Sequence, residues 1–293
     1  MSRRDYDESD VRIRPSRRTK PRTKDRPAHE SAITAFVITV DRGRTTCYLE
    51  DGTIVMAMKA RELGPKSVVV GDYVKLVGDT SGNEGTLSRI VSVDDRKSVL
   101  VRTVDDAAQF ERNIASNIDQ LVIVAAAANP EPRRGLIDRF LVSAFTEGID
   151  PILVITKTDI EEAPDFVKEY ESIGVRCLTT KIGGDLNELH SLLNGKVSVL
   201  VGHSGVGKST LLNQLTEADR ETGDVNDVTG RGRHTSSSAY AVALKDFPGQ
   251  KAAPNSWLID TPGVRAFGLS HLDPKAIIAA FDDLLEITNS CMT

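Results

Sequence analysis

Cysteine is scarce in this 293-residue chain: Cys47, Cys177 and Cys291 are odd in number, far apart and form no CxxC pair. A disulfide framework is not expected, and a reducing compartment fits best. Long apolar runs are missing too. The longest, Leu121 to Ala128, is far short of the ~20 residues that cross a bilayer as a helix. The N-terminus has charge but no apolar stretch behind it, so no secretory signal is read there. A cytoplasmic protein with no membrane partner is expected. Net positive charge is lacking as well: 37 Lys+Arg face 42 Asp+Glu, a net of −5, which as an average argues against a polyanion binder. The average is misleading. Residues 1–30 carry ten basic and six acidic side chains, a net of +4 that leaves −9 for the remainder.

The length allows about two domains with real cores. Residues 1–30 offer almost nothing to bury, with Val11 and Ile13 among Pro, Ser, Thr and charges, and read as a disordered basic arm. From 31 to 103 the pattern is short β-rich runs separated by turn signals: AFVITV, TTCYLE, TIVMAM, SVVVGDYVKLV, TLSRIVSV and SVLVR. About seventy residues are too few for a two-sheet sandwich, so a small barrel of the OB type is expected, with an SH3-like barrel second. From 104 to 269 continuous apolar runs alternate with amphipathic helices. LVIVAAAA (121–128), ILVIT (152–156), VRCLTT (175–180), VSVLVG (197–202) and WLID (257–260) suit parallel strands covered on both faces. Leu136, Ile137, Phe140, Leu141, Ala144 and Phe145 repeat at helical spacing between the first two. The whole reads as β plus α/β, the second part a doubly wound sheet. In 270–293 a last helix is signalled by Asp273 as cap, Pro274 in the first turn, and Ile277, Ile278, Phe281, Leu284 and Leu285 on one face.

GHSGVGKST, Gly202 to Thr210, satisfies G-x-x-x-x-G-K-[ST] between a strand and a helix. Gly202, Gly205 and Gly207 let backbone N–H groups converge on phosphate oxygens at a helix N-terminus; Lys208 reaches the β- and γ-phosphates and Ser209 ligates Mg²⁺. That leaves ATPase, kinase and GTPase open. DTPG, Asp260 to Gly263, ends a strand, placing Asp260 to hold Mg²⁺ through water and the Gly263 N–H to meet the γ-phosphate. TKTD, Thr156 to Asp159, has the form of a guanine-reading box. There the carboxylate accepts from guanine N1 and N2 while the Lys stem covers the base; adenine would leave that carboxylate unpaired. TKTD alone also reads as a surface Lys/Asp turn, a reading the other two motifs outweigh. Ordinary GTPases run P-loop, switch Thr, DxxG, N-K-x-D. Here TKTD comes first, the P-loop at 202, a candidate switch Thr near 235 and DTPG last, so the domain is circularly permuted and the chain after DTPG can respond to the γ-phosphate.

With a barrel ending in SVLVR, IDQLVIV (118–124), IDRFL (137–141), TKTD, GHSGVGKST, GRGRHTS and DTPGVRAFGL, the chain resembles the circularly permuted, small-ribosomal-subunit-dependent GTPase A family (RsgA, also called YjeQ or EngC). The resemblance implies an OB-fold, a permuted GTPase core and a small C-terminal zinc module, acting in late maturation of the small ribosomal subunit with subunit-stimulated GTP hydrolysis. It makes Thr235 a Mg²⁺ ligand in a long Gly-rich switch loop, 217–238, and His234 the group that replaces a water-orienting Gln, since Val264 follows DTPG. Arg231 and Arg233 flank it and could touch rRNA or the phosphates. Lys208 and His234 are thus the expected catalytic residues. The nucleotide contacts expected are Gly202, His203, Ser204, Gly205, Val206, Gly207, Lys208, Ser209 and Thr210; Thr156, Lys157, Thr158 and Asp159; Gly263; and a backbone N–H near Thr180, which would meet guanine O6. Mg²⁺ falls to Ser209, Thr235 and Asp260.

Two features depart from the family pattern. Thr156 stands for the usual Asn, with a shorter reach. Cys291 matches the first zinc ligand, yet the sequence given stops at Thr293, and one Cys cannot build a site that needs four ligands. Zn²⁺ is expected only where the remaining ligands are present. The leading expectation is a monomeric GTPase that binds GTP, GDP and Mg²⁺ and acts on the small ribosomal subunit and its rRNA. A permuted GTPase of the large subunit, a nucleotide-regulated RNA-binding module with little turnover, and an ATP-dependent small-molecule kinase are the rivals.

Overall fold

The computed structural model describes residues 31–41, 43–64, 67–103, 111–217, 239–261, 269, 273–279 and 281. Turn signals and alternating apolar residues build five strands first: β1 (Ile33–Asp41), β2 (Arg44–Leu49), β3 (Ile54–Lys59), β4 (Tyr73–Gly78) and β5 (Ser88–Val93). They pair in the order β1-β2-β3-β5-β4, and β4 returns to β1, closing a barrel. Only β3 and β5 run parallel. This is the five-stranded barrel of the OB type that the sequence suggests. Val37, Cys47, Val55, Ala57, Val74, Leu76 and Ile90 fill it without solvent exposure, the inward half of the two-residue side-chain alternation of a strand.

The run SVLVR does not belong to the barrel. It forms β6 (Val99–Thr103), which pairs with β7 (Glu111–Ser116) in a separate two-stranded ribbon. Its partner is β7 rather than any barrel strand, and β4 closes on β1 without it. The two strands of the ribbon lie on either side of the expected division at residue 103. The run SVVVGDYVKLV is also broken, at Gly71. There the backbone has φ +91 and a Cβ would stand 2.1 Å from the Ser116 carbonyl oxygen, so only glycine permits the approach.

A buried polar joint forms at that approach. Asp72, fully buried, accepts from Arg96 Nε (2.7 Å) and Nη2 (2.8 Å), from Ser116 Oγ (2.5 Å) and from the Val69 N–H (2.8 Å). Asn117 Nδ2 donates to the Gly71 carbonyl at 2.9 Å. A buried carboxylate is tolerable only with such a full set of partners, and this one draws them from the barrel, the loop after β5 and the ribbon.

The remaining elements alternate: β8 (Gln120–Ala126), α1 (Arg134–Thr146), β9 (Asp150–Thr156), α2 (Val167–Ser172), β10 (Arg176–Thr179), α3 (Asn187–Leu193), β11 (Val197–Val201), α4 (Lys208–Leu215), β12 (Tyr240–Ala243), β13 (Trp257–Asp260) and α5 (Pro274–Ala279). The strands order as β10-β9-β8-β11-β13-β12, all parallel except β12. Every residue of β8, β11 and β13 is buried. Alternate residues serve two cores: Leu121, Ile123 and Ala125 pack with Phe140 and Leu141 of α1, while Val122, Val124 and Ala126 pack with Leu189 of α3 and Leu211 of α4. Asp273 Oδ1 caps α5 through the Lys275 N–H (3.0 Å), and Phe281 meets Phe145 edge-on at 5.4 Å. Leu284 and Leu285 of the expected face, the basic arm 1–30 and Cys291 lie outside the described residues. Among the described residues no helix is long and apolar enough to cross a membrane.

Candidate nucleotide-binding site

From β8 the chain winds outward through β9 to β10; from β11 it winds the other way, to β13 and β12. The point between β8 and β11 is therefore a topological switch, where the loops beyond the carboxyl ends of the strands part and leave a crevice for a ligand. The sequence motifs converge there. The P-loop follows β11, TKTD closes β9, Asp260 ends β13 and Thr180 follows β10.

The P-loop begins at Gly202, φ +147, where a Cβ would meet the Val124 carbonyl oxygen at 2.2 Å. It ends at Gly207, φ +95, the residue that caps α4. Val206 is buried while Ser204, Gly205 and Thr210 face solvent, and His203 and Ser209 are half-buried. Lys208, only 7% exposed, donates from Nζ to the carbonyls of Gly202 (2.9 Å) and His203 (2.8 Å). Its ammonium is thereby folded across the loop. His203 Nδ1 lies 2.8 Å from the Ser204 carbonyl oxygen.

TKTD is bonded to this loop. Thr156, 7% exposed, donates from Oγ1 to the Val206 carbonyl at 2.5 Å and lies 3.2 Å from the Ala125 carbonyl oxygen. The hydroxyl therefore spans the distance for which an Asn is longer. Lys157, at φ +59, donates from Nζ to the Asn129 carbonyl, so its stem is laid across the site by the loop after β8. Thr158 donates from its N–H (3.3 Å) and Oγ1 (3.2 Å) to the Thr180 carbonyl, which holds the β9 and β10 loops side by side with the Asp159 carboxylate exposed beside them. The Thr180 N–H is not the donor available to a base: it is spent on the Ile155 carbonyl at 2.8 Å, continuing the β9–β10 ladder.

On the other flank Asp260 is 1% exposed, in register with Leu200 of β11. Thr261 Oγ1 donates to the Leu200 carbonyl at 2.8 Å and fastens the start of DTPG to the P-loop strand. Thr261 and Asn129 are site residues that motif reasoning missed. The Thr inside DTPG was a usable signal; a backbone carbonyl, as at Asn129, leaves none. No group of three or more His, Cys, Asp or Glu able to hold a metal occurs among the described residues. Mg²⁺ with a nucleotide needs only one or two protein oxygens, phosphates and water. The Ser209 hydroxyl in the first turn of α4 and the buried Asp260 carboxylate at the end of β13 fit that requirement. Arg231, Arg233, His234, Thr235, Gly263 and Val264 lie outside the described residues.

The fold and these motifs define a P-loop α/β domain with its TKTD strand ahead of its P-loop in the chain, joined to a five-stranded barrel. A family model described as "RsgA GTPase" matches residues 93–270. The chain belongs to the RsgA GTPase family. It is 36% identical over 237 residues to "Small ribosomal subunit biogenesis GTPase RsgA 1" of Vibrio vulnificus, covering 78% of this chain and 64% of that one. With "Small ribosomal subunit biogenesis GTPase RsgA" of Shewanella oneidensis it shares 37% over 253 residues, 83% of this chain and 68% of that one. The chain thus spans roughly two thirds of the length of these relatives. Among solved structures, YjeQ from Thermotoga maritima superimposes with a TM-score of 0.61 at 24% identity, over 86% of this chain and 82% of that one. YloQ, described as a circularly permuted GTPase, does so with 0.58 at 21%, over 89% and 82%. These two likenesses confirm the expected fold: a barrel followed by a permuted α/β domain.

Proposed function

We propose that the chain binds GTP with Mg²⁺ in the crevice between β8 and β11 and hydrolyses it to GDP and phosphate, acting on the small ribosomal subunit in its maturation. The observation that carries this reading is the bond from Thr156 Oγ1 to the Val206 carbonyl. It makes the base-reading box and the phosphate loop one rigid unit, so that guanine and the phosphates are positioned together. Asp159 accepts from guanine N1 and N2, the Lys157 stem covers the base, and the guanine O6 donor is the N–H of Lys181, next along from the Thr180 N–H that the sheet uses.

Lys208 and the P-loop N–H groups take the β- and γ-phosphates, with Ser209, Thr235 and Asp260 around the cation and Gly263 at the γ-phosphate. A Mg²⁺ ion held by those residues would supply positive charge against the charge that develops as the terminal phosphoryl group departs. His234 orients the water that attacks the γ-phosphorus as the bond to the bridging oxygen breaks. The barrel and the basic arm meet rRNA, chiefly at phosphates. The names of the Vibrio and Shewanella relatives support the ribosomal assignment.

The test is GTP turnover measured alone, with purified small subunits and with large subunits. Stimulation by small subunits only is expected, on the order of 100-fold or more if His234 supplies general-base-scale catalysis. Equal stimulation by large subunits, or none by either, sinks the assignment. His234→Ala should abolish most of the stimulation and leave GTP affinity within about twofold, since a water-orienting group acts in the transition state alone.

A further inference from the structure

The only tryptophan of the chain sits where the barrel meets the nucleotide-binding sheet. Trp257 opens β13, 6% exposed, stacked on Phe36 of β1 (centroids 5.1 Å apart, planes at 26°) and met edge-on by Tyr48 of β2 (4.9 Å, 76°). At the other end of the same four-residue strand is Asp260. Trp257 and Ile259 point into the core shared with the barrel; Leu258 points into the opposite core, and by the strand alternation Asp260 shares its side. A second tie reaches the same carboxylate. Tyr240 of β12 stands opposite Asp260 in one ladder and opposite Thr39 of β1 in the next, so barrel strand β1 is two ladders from the carboxylate. In the order of the sheet the P-loop and TKTD stand farther from the barrel, beyond β11 and β9, three and five ladders from β1.

We infer that Trp257 is a positioning residue for the Mg²⁺ end of the site, with the barrel, through Phe36 and Tyr48, holding β13 so that Asp260 stands where the cation needs it. The inference rests on the nucleotide-binding reading given above. It divides the site into two parts. Base and β-phosphate recognition, by TKTD and the P-loop, is independent of the barrel. The increment of affinity that Mg²⁺ adds depends on it. By linkage, whatever binds the barrel and shifts β1 alters that increment, and Mg²⁺-nucleotide alters binding at the barrel by the same factor.

The experiment compares affinity for a labelled, non-hydrolysable GTP analogue and for GDP, each with Mg²⁺ and with EDTA, in the full chain and its variants. Tyr48→Ala removes one aromatic contact from a half-buried position, and should reduce the Mg²⁺-dependent increment about fivefold while leaving EDTA affinities within about twofold. Trp257→Leu should reduce the increment further; Trp257→Phe, which keeps a flat ring on Phe36, should restore most of it. In the unmodified chain Trp257 emission should change when Mg²⁺ with the GTP analogue binds and stay constant when the analogue binds in EDTA. A parallel fall of both affinities, an unchanged increment in folded Tyr48→Ala and Trp257→Leu, or an emission change independent of Mg²⁺ overturns the inference. Absence of any guanine-nucleotide binding by the unmodified chain refutes instead the reading on which it rests, and the EDTA measurements separate the two failures.

Discussion

In the proposed site Thr156 is the residue on which the base-reading half turns, because one hydroxyl proton joins β9 to the P-loop. Thr156→Val keeps the shape and removes that donor, leaving the Val206 carbonyl oxygen buried without it; a loss of about 1–3 kcal/mol follows, read as a ten- to hundredfold weaker GDP affinity by titration with labelled nucleotide. Asp159→Asn reverses one hydrogen-bond polarity: GTP affinity should fall at least ~100-fold and xanthosine nucleotides should bind in its place. Unchanged GTP affinity would remove TKTD from the site. In the barrel, burial pushes the Cys47 thiol up from 9.0 to about 12, and the half-buried Cys177 rises to about 11. The folded state therefore favours the neutral thiol, and the stability this confers is complete below pH 9 and lost as pH climbs toward 12. Native chain at pH 8 should alkylate at Cys47 only when unfolded, which mass-mapped labelling with and without urea checks.

At the scale of elements, the parallel strands were legible because burial on both faces makes them continuous apolar runs, and the WLID run of β13 lies where it was expected. The barrel strands were legible from alternation and turn residues. β7 was not, since ERNIAS has only the adjacent Ile114 and Ala115 as apolar residues, with no alternation, and its strand is made by pairing with β6. Nor was the break at Gly71, where a single apolar run divides because another segment, ending in Ser116, comes within contact. The Asp72 joint formed there is testable. Arg96→Leu takes a bidentate partner from a fully buried carboxylate, and with the guanidinium itself one-fifth exposed the cost should be about 3 kcal/mol in urea unfolding. Asp72→Asn, which retains hydrogen-bonding atoms, should cost less.

For the molecule as a whole, charge is divided between parts: +4 on residues 1–30 and −9 on the remainder. On the proposed function, binding to small-subunit rRNA should therefore depend steeply on salt, falling at least about tenfold between 50 and 200 mM, and deletion of residues 1–30 should flatten that slope. A flat slope in the intact chain would remove the arm from the interface. Some things were determined by sequence alone. Phosphate and base recognition need fixed residue types at fixed local spacings, so the P-loop, DTPG, TKTD and their permuted order stand in the string of residues itself. Tertiary structure decided what depends on segments distant in sequence. It closed the barrel at five strands, turned the Thr180 N–H into the sheet, brought the Asn129 carbonyl to Lys157, and set Trp257 between two barrel rings three residues from Asp260. Those contacts are between backbone atoms and faces whose partners lie tens or hundreds of residues away, and no local pattern encodes which partner arrives.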